Sequence, residues 1–318
     1  MKRGMNIILA GLAVTCLSLP SSAHADYKGH HATGGWGLQS GTQSPAAGGF
    51  LFSPNYSRYY SDTLVDHDGN DINLSGEEHE ITVNSVGLFG WWVSDYAILG
   101  ANWGMAATVF ASDNSLEYAD FDFEKNFDLA DIFIQPVNLG WHLNQADFMV
   151  TYGLYLPTGG YTDGADDNTG MGMWTHEFGA GTTVYFDQEK KYHISAMAYF
   201  EIHSEKEDSD TQVGNILTLE GGLGRSWYDG ALTAGLAYYA QWKLSSDSIG
   251  DLKSIDSRFP ASIDLPKSRL YGLGPEVNFP IFIDEKLFCV VTGRYQWEFD
   301  ARSTLEGQNL NMYINFLW

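Results

Sequence analysis

Basic charge is scarce in this 318-residue chain: 17 Lys and Arg stand against 40 Asp and Glu, for a formal charge of −23. Affinity for nucleic-acid phosphates rests on clustered Lys and Arg, so nucleic acid is excluded as a partner. Cysteine is scarcer still. Only Cys16 and Cys289 occur, and once Cys16 is removed with a leader, as expected below, no intramolecular disulfide can form. Long hydrophobic runs are missing as well. Beyond Asp26 no apolar stretch reaches the roughly 20 residues of a membrane-spanning helix, which excludes a helical membrane protein.

The first residues have the order of a secretory signal peptide. Lys2 and Arg3 form a basic start, an apolar run extends from Met5 to Leu19, and Ala23 and Ala25 place small residues at −3 and −1 before Asp26. Cleavage is expected after Ala25. A lipoprotein reading at Cys16 fails because Thr15 precedes it where a small Gly, Ala or Ser belongs, and apolar residues continue past it. The chain therefore divides into a signal peptide (1–25), an N-terminal periplasmic or lumenal segment (26–46) rich in Gly and Ser, and one domain (47–318).

That domain is dominated by alternation. Leu310, Met312, Ile314, Phe316 and Trp318 share one face of an extended segment, while Asn309, Asn311, Tyr313 and Asn315 share the other, because side chains of a strand point to opposite sides with period two. The same pattern sets Tyr295, Trp297 and Phe299 against Arg294, Gln296 and Glu298. It also sets Leu273, Val277 and Phe279 against Glu276 and Asn278, and Ile194, Phe200 and Ile202 against His193, Tyr199 and Glu201. Pro275 marks a local break in pairing. Alternation is poor around 97–111 and 129–143, where the register stays open.

Strands are expected at 47–60, 79–94, 97–111, 129–143, 147–157, 172–186, 191–204, 214–228, 231–244, 269–283, 286–299 and 307–318. The connections alternate between short ones (Ser94 to Tyr96, Asn144 to Ala146, Asp187 to Lys190, Asp229-Gly230, Asp284-Glu285) and long ones (61–78, 112–128, 158–171, 205–213, 245–268, 300–306). A soluble β-sandwich alternates too, but has no reason to produce short and long connections in strict turn. Bacterial outer-membrane barrels do, with short periplasmic turns and longer outer loops. The fold expected is all-β: a transmembrane, antiparallel, up-and-down β-barrel of about 12 strands with both termini periplasmic. Trp91, Trp92, Tyr96, Trp141, Phe148, Tyr185, Phe186, Tyr192, Trp227 and Tyr228 lie beside the short turns, where an interfacial aromatic girdle belongs.

The stretch GHHATGGWGLQSGTQSPAAGGFLFSPNYSRYYSDTLVDHDGN (Gly29–Asn70) joins a Gly-His opening, a small-residue stretch, an aromatic strand with a Tyr-Tyr pair and an acidic turn. With DLADIFIQPVNLGWHL (Asp128–Leu143) and YGLYLPTGGY (Tyr152–Tyr161), it resembles the family named for the meta-pathway of phenol degradation, also called SphA-like outer-membrane transporters. The resemblance spans nearly the whole chain after residue 25. It implies an outer-membrane channel linked to uptake of aromatic or other hydrophobic compounds, and it transfers no catalytic residue.

On the inward face the pattern places Glu177, Glu201, Glu220, Glu276, Arg294, Glu298 and Asn315. These are candidates for a selectivity surface or, equally, for a network filling a closed barrel, since charges there must pair or meet water. Met149, Tyr155, Met197 and Tyr199 also face inward, as a slide for hydrophobic ligands or as packing. In the loop 61–78, Asp66, Asp68, Asn70 and Glu77 match positions 1, 3, 5 and 12 of a calcium loop, but Asp71 stands where that loop needs Gly. A solvated acidic loop is the plainer reading, with a weakly bound Ca in an outer loop as the functional one. No other cofactor is expected. His30-His31 reads as a flexible tail.

No enzyme is expected. Ser226 and His203 fall at opposite ends of neighbouring strands, about 25 Å apart, whereas a nucleophile and its base need about 3 Å. Expected partners are outer-membrane lipid and lipopolysaccharide, a small hydrophobic solute, and the barrel-assembly machinery through the C-terminal strand ending at Trp318. The location expected is the outer membrane of a Gram-negative bacterium. Two functions fit: passive uptake of small hydrophobic or aromatic compounds, or a closed structural or adhesive barrel with acidic, ion-binding outer loops.

Overall fold

A computed structural model describes residues 28–71, 79–118, 121–163, 165, 168–227, 232–249, 263–264 and 267–318. The leader at 1–25, Glu77, Tyr228 and the Asp229-Gly230 turn lie outside the described residues. Twelve long strands build the domain: β1 (Phe50–Val65), β2 (His79–Ile98), β3 (Ala101–Tyr118), β5 (Ile132–His142), β6 (Ala146–Leu156), β7 (Thr175–Tyr185), β8 (Tyr192–His203), β10 (Ile216–Trp227), β11 (Leu232–Lys243), β14 (Arg269–Ile283), β15 (Lys286–Arg302) and β16 (Thr304–Leu317). β4 (Phe121–Leu129), β9 (Thr211–Gln212), β12 (Ser248–Ile249) and β13 (Ile263–Asp264) decorate the long-loop end.

Each long strand pairs antiparallel with its neighbours, and β1 pairs with both β2 and β16, so the sheet closes into a 12-strand barrel. Closure matters physically. In hydrocarbon an unpaired N–H or C=O has no water to turn to, and a closed barrel leaves no edge. The shortest barrel strands, β5, β6 and β7, have 11 residues each, enough to span a bilayer when tilted.

Alternation sorts the two faces. On β6, Phe148 and Val150 point outward and are exposed while Asp147, Met149 and Thr151 are buried inside. Leu88, Val109, Phe178, Leu223, Leu236, Val277, Phe279, Trp297, Met312 and Ile314 continue the outer apolar band. Placed in lipid, that surface avoids the cost it would carry in water.

The connections depart from expectation at three points. β2 does not stop at Ser94. The Ser94 hydroxyl accepts the Tyr96 N–H at 3.2 Å, producing a bulge between Val93 and Ala97 rather than the turn. The chain reverses at Leu99-Gly100, with φ of 51° and 80°, as a two-residue turn of the primed type requires. The expected long loop 300–306 is a tight reversal at Ser303, because β15 and β16 run on almost until they meet. The loop 112–128 is itself a hairpin of β3 and β4. Two members of the expected girdle also turn inward: Trp91 is buried against Trp36, and Tyr185 bonds Asp147. At Pro275 the β14–β15 ladder lapses between Leu273 and Glu276 without changing register.

In β5 the register against both neighbours slips by one residue near Gln135 and Pro136. The extra residue turns Gln135 and Asn138 to the same side, and both are buried in the interior. A β-bulge re-aims side chains in this way.

Candidate functional site

The interior of the barrel is occupied by the chain's own N-terminal segment. β1 begins and β16 ends at the short-turn end, where Phe50 and Trp318 exchange backbone hydrogen bonds. Ahead of β1, residues 28–49 run the length of the lumen to the opposite rim. Lys28 lies with its ammonium 4.8 Å from the centre of the Tyr59 ring, and His30 reaches Asp131 and Thr175, both at strand starts beside the long loops. The first described residue and Trp318 therefore sit at different ends of the lumen.

Near the long-loop rim two histidines are clamped. The His30 ring contacts Asp131 Oδ2 at 2.8 Å and Thr175 Oγ1 at 2.7 Å, and stacks on Tyr155 at 4.7 Å. The His31 ring contacts Glu177 Oε2 at 2.7 Å and Glu220 Oε1 at 3.3 Å and lies 4.2 Å from the Tyr199 ring. His30-His31 is thus no flexible tail. Tyr155 and Tyr199 face inward as expected, and here they hold these two rings.

Each carboxylate of the expected inward set has a defined place. Glu201 accepts the backbone N–H groups of His30 and His31 at 2.8 and 2.9 Å. Glu220 accepts those of Gly34 and Trp36, both at 2.7 Å. Glu276 accepts the N–H of Leu38 at 3.0 Å and pairs with Arg294 Nε at 2.7 Å. Arg294 also donates to the Gly34 carbonyl. Glu298 accepts the hydroxyls of Tyr59 and Tyr239 at 2.9 and 2.7 Å. Buried carboxylates without partners would be prohibitively costly, and the segment supplies donors as backbone N–H groups. Asn315 stands apart, bonding Val290 O and Thr292 Oγ1 in the wall.

Lower in the lumen, Leu38 is fully buried. It rests on a floor of glycines: a Cβ added at Gly222 would stand 2.7 Å from Leu38 Cδ2, and one at Gly235 2.9 Å. Gln43 donates to Asn138 Oδ1 at 2.8 Å, using the residue that the β5 bulge turned inward. Thr183 and Ser195 donate to the carbonyls of Ser40 and Gly37. Trp36 packs edge-on against Phe89 and Trp91.

Sequence reasoning missed Asp131, Asn138 and Asp147. Asp131 sits just before β5 and ties the long loop to the segment, accepting the N–H groups of Thr158, Gly159 and Met171 as well as His30. Burial pushes its carboxyl up, but these hydrogen bonds outweigh that and hold it below the usual carboxylate range. The Asp-Leu-Ala-Asp run before β5 was the available signal.

In the outer loop, the Asp66 carboxylate accepts the N–H groups of Asp68 and Asn70 and the Asn70 amide. The Asn70 contacts hold it below its ordinary value. Asp66 and Asn70 thus close a turn on each other. Among the described residues no group of three or more His, Cys, Asp or Glu side chains is arranged around a metal site.

The sequence matches the family model described as "Putative MetA-pathway of phenol degradation" over residues 61–314. The chain belongs to this family. Among solved structures, the barrel is similar to the COG4313 outer membrane channel from Pseudomonas putida F1, with a TM-score of 0.72 at 12% identity, covering 86% of this chain and 97% of that one. It is more distantly similar to the translocator domain of the autotransporter NalP from Neisseria meningitidis (TM-score 0.45, 12% identity, 98% of this chain and 97% of that one). A mutant of the TodX monoaromatic hydrocarbon channel gives 0.40 at 10% identity over 86% and 90%. None of the curated proteins matches the sequence. Family and first neighbour agree with the fold: a closed barrel of the outer-membrane type.

Proposed function

We propose that the protein is an outer-membrane channel for passive uptake of small hydrophobic or aromatic compounds, held closed by its own N-terminal segment. The observation that carries this reading is the threaded segment itself. A barrel serving only as a scaffold fills its lumen with side chains from its own wall; here the wall's carboxylates are spent largely on backbone N–H groups of a separable strand of chain. Residues 26–46 are the plug, and Glu177, Glu201, Glu220, Glu276, Arg294 and Glu298 are the surface exposed when it leaves. The inward Met149, Tyr155, Met197 and Tyr199 suit an apolar or aromatic solute. The family's name points to phenol chemistry.

In this reading the leader directs export, the short turns face the periplasm, the strand ending at Trp318 engages the assembly machinery, and the acidic outer loops meet lipopolysaccharide, where Asp66, Asp68, Asn70 and Glu77 can draw in a divalent cation. A second reading, a closed structural barrel, rests on how many of the inward carboxylates are hydrogen-bonded within the lumen. Single-channel conductance of the refolded protein starting at Asp26, with and without residues 26–46, separates them. Steps that grow on deletion support the channel. Silence in both, with the barrel confirmed by heat-modifiable gel mobility, overturns it in favour of the structural role.

A further inference from the structure

The turn from β7 to β8 and the last residues of β10 meet at one point of the short-turn rim. The Lys191 carbonyl accepts the Ser226 N–H at 2.6 Å, and Tyr192 stands opposite Arg225 in the β8–β10 ladder. Alternation along β10 turns Leu223, Arg225 and Trp227 to the outer face. An arginine on the lipid face of a barrel is costly at the bilayer midplane and tolerated near an interface. Arg225 is exposed and stands where the apolar band ends. One row deeper into the bilayer, Leu223 lies between Ile194 and Leu236, and all three are exposed.

Two rings frame the guanidinium. Its central carbon lies 4.7 Å from the centre of the Trp227 ring and 5.2 Å from that of Tyr192, within the reach of a cation–π contact. Stacking uses the face of the planar fork and leaves the N–H donors along its edge for an acceptor. The acids of the same turn are engaged elsewhere. Asp187 accepts the N–H groups of Lys191 and Tyr192 at 3.0 and 2.8 Å, and Glu189 pairs with Lys191 at 2.7 Å. Among the described residues neither pairs with Arg225. Glu189 holds the Lys191 ammonium above its ordinary value and the Arg225 charge acts against it, so the two cations stand within electrostatic reach of each other. In a chain with 17 basic and 40 acidic residues, this is a local reversal of sign. The Glu189–Lys191 pair is exposed, and such pairs are weak, so Lys191 is free to turn to another anion.

We infer that this point of the rim binds the headgroup of an anionic phospholipid. The phosphate lies against the edge of the Arg225 fork, which donates two parallel N–H bonds as guanidinium–phosphate pairs do, with Lys191 as the second cation. Tyr192 and Trp227 flank it at interface depth, where such rings sit, and the acyl chains run over Leu223, Ile194 and Leu236. The site rests on the channel reading only for its leaflet: short turns facing the periplasm put it on the side away from lipopolysaccharide.

The test is native mass spectrometry of the detergent-folded chain starting at Asp26, titrated with phosphatidylglycerol, phosphatidylethanolamine, phosphatidylcholine or lipid A. The first phosphatidylglycerol adduct should form at the lowest lipid concentration. Arg225→Gln should weaken it about fivefold, the worth of one basic residue at a charged membrane surface. Lys191→Gln should weaken it by less, and Arg225→Lys, which keeps the charge but not the fork, should fall between Arg225→Gln and the parent. Lys286→Gln, at the turn between β14 and β15, should leave it unchanged, and heat-modifiable gel mobility checks that every variant is folded. Equal binding of phosphatidylglycerol and phosphatidylcholine, a preference that survives Arg225→Gln, or an equal loss in Lys286→Gln overturns the inference. So does a preference for lipid A, which would put this rim in the opposite leaflet. Channel openings without a lipid preference sink this site and leave the channel; a lipid preference without openings, with or without residues 26–46, sinks the channel and leaves the site.

Discussion

The imidazole of His30 lies 2.8 Å from the Asp131 carboxylate, joining the N-terminal segment to the rim of the barrel, and the same carboxylate receives three backbone N–H groups of the loop after β6. Segment and loop thus share one anchor. Asp131→Ala should free both at once. Channel openings should become more frequent in planar bilayers, and protease should nick the loop 157–173 sooner. Unchanged opening statistics would dissociate the anchor from the gate.

The same anchor has a pH dependence of known sign. The Asp131 carboxyl is held below its ordinary value of 3.8, so its contribution is fully present above that value and fades as pH falls through the lowered one. Openings should be constant with respect to this group above pH 3.8 and rise only below it. In Asp131→Asn that acid-induced increment should disappear. The comparison is conductance at matched acidic pH.

Glu220 accepts from the backbone of Gly34 and Trp36 and from His31. Glu220→Ala strands two buried N–H donors, at about 1–3 kcal/mol each. The segment should leave the lumen for a large fraction of the time. Ser40 of the same segment is buried, so Ser40→Cys should react with a soluble maleimide in the Glu220→Ala background and resist it in the parent.

Leu38 on its glycine floor gives an orthogonal probe. Leu38→Ala removes apolar packing worth about 2–5 kcal/mol at a buried site without touching a charge. It should raise opening in proportion, while the barrel's own thermal transition stays put, because the wall strands keep their ladders. A fall in the barrel's transition equal to that of the segment would show the two to be one cooperative unit.

Arg294 balances Glu276 at 2.7 Å deep inside the wall. Arg294→Met leaves that carboxylate unpaired apart from the Leu38 N–H and a 3.2 Å bond from Asn278, a loss of about 3–5 kcal/mol for a broken buried pair. The double variant Arg294→Met/Glu276→Gln should recover much of it. Heat-modifiable mobility against temperature reports both.

Most of the barrel could be read from the chain because one rule, apolar out and polar in, governs every residue of a strand. It failed where the backbone breaks step. Around Gln135 and Pro136 two residues oppose one, so neither face of 129–143 shows a clean period. At Ser94 a hydroxyl satisfying a nearby N–H has the same composition whether it makes a turn or a bulge. The inward acids were legible as a set, since Glu177, Glu201, Glu220, Glu276 and Glu298 fall on inward positions. Their partners were not, because backbone N–H groups leave no mark in sequence. A Gly- and Ser-rich stretch such as 28–46 has no period to reveal that it lies inside.

The threaded segment also constrains the order of assembly. Its path is set by Leu38 among Gly222, Gly224 and Gly235, by Trp36 against Trp91, and by Gln43 at Asn138, contacts drawn from strands all round the circumference. A path fixed by strands so far apart in sequence exists only once those strands stand side by side, so the segment can settle no earlier than the wall that holds it, and the carboxylates it covers keep their water until then.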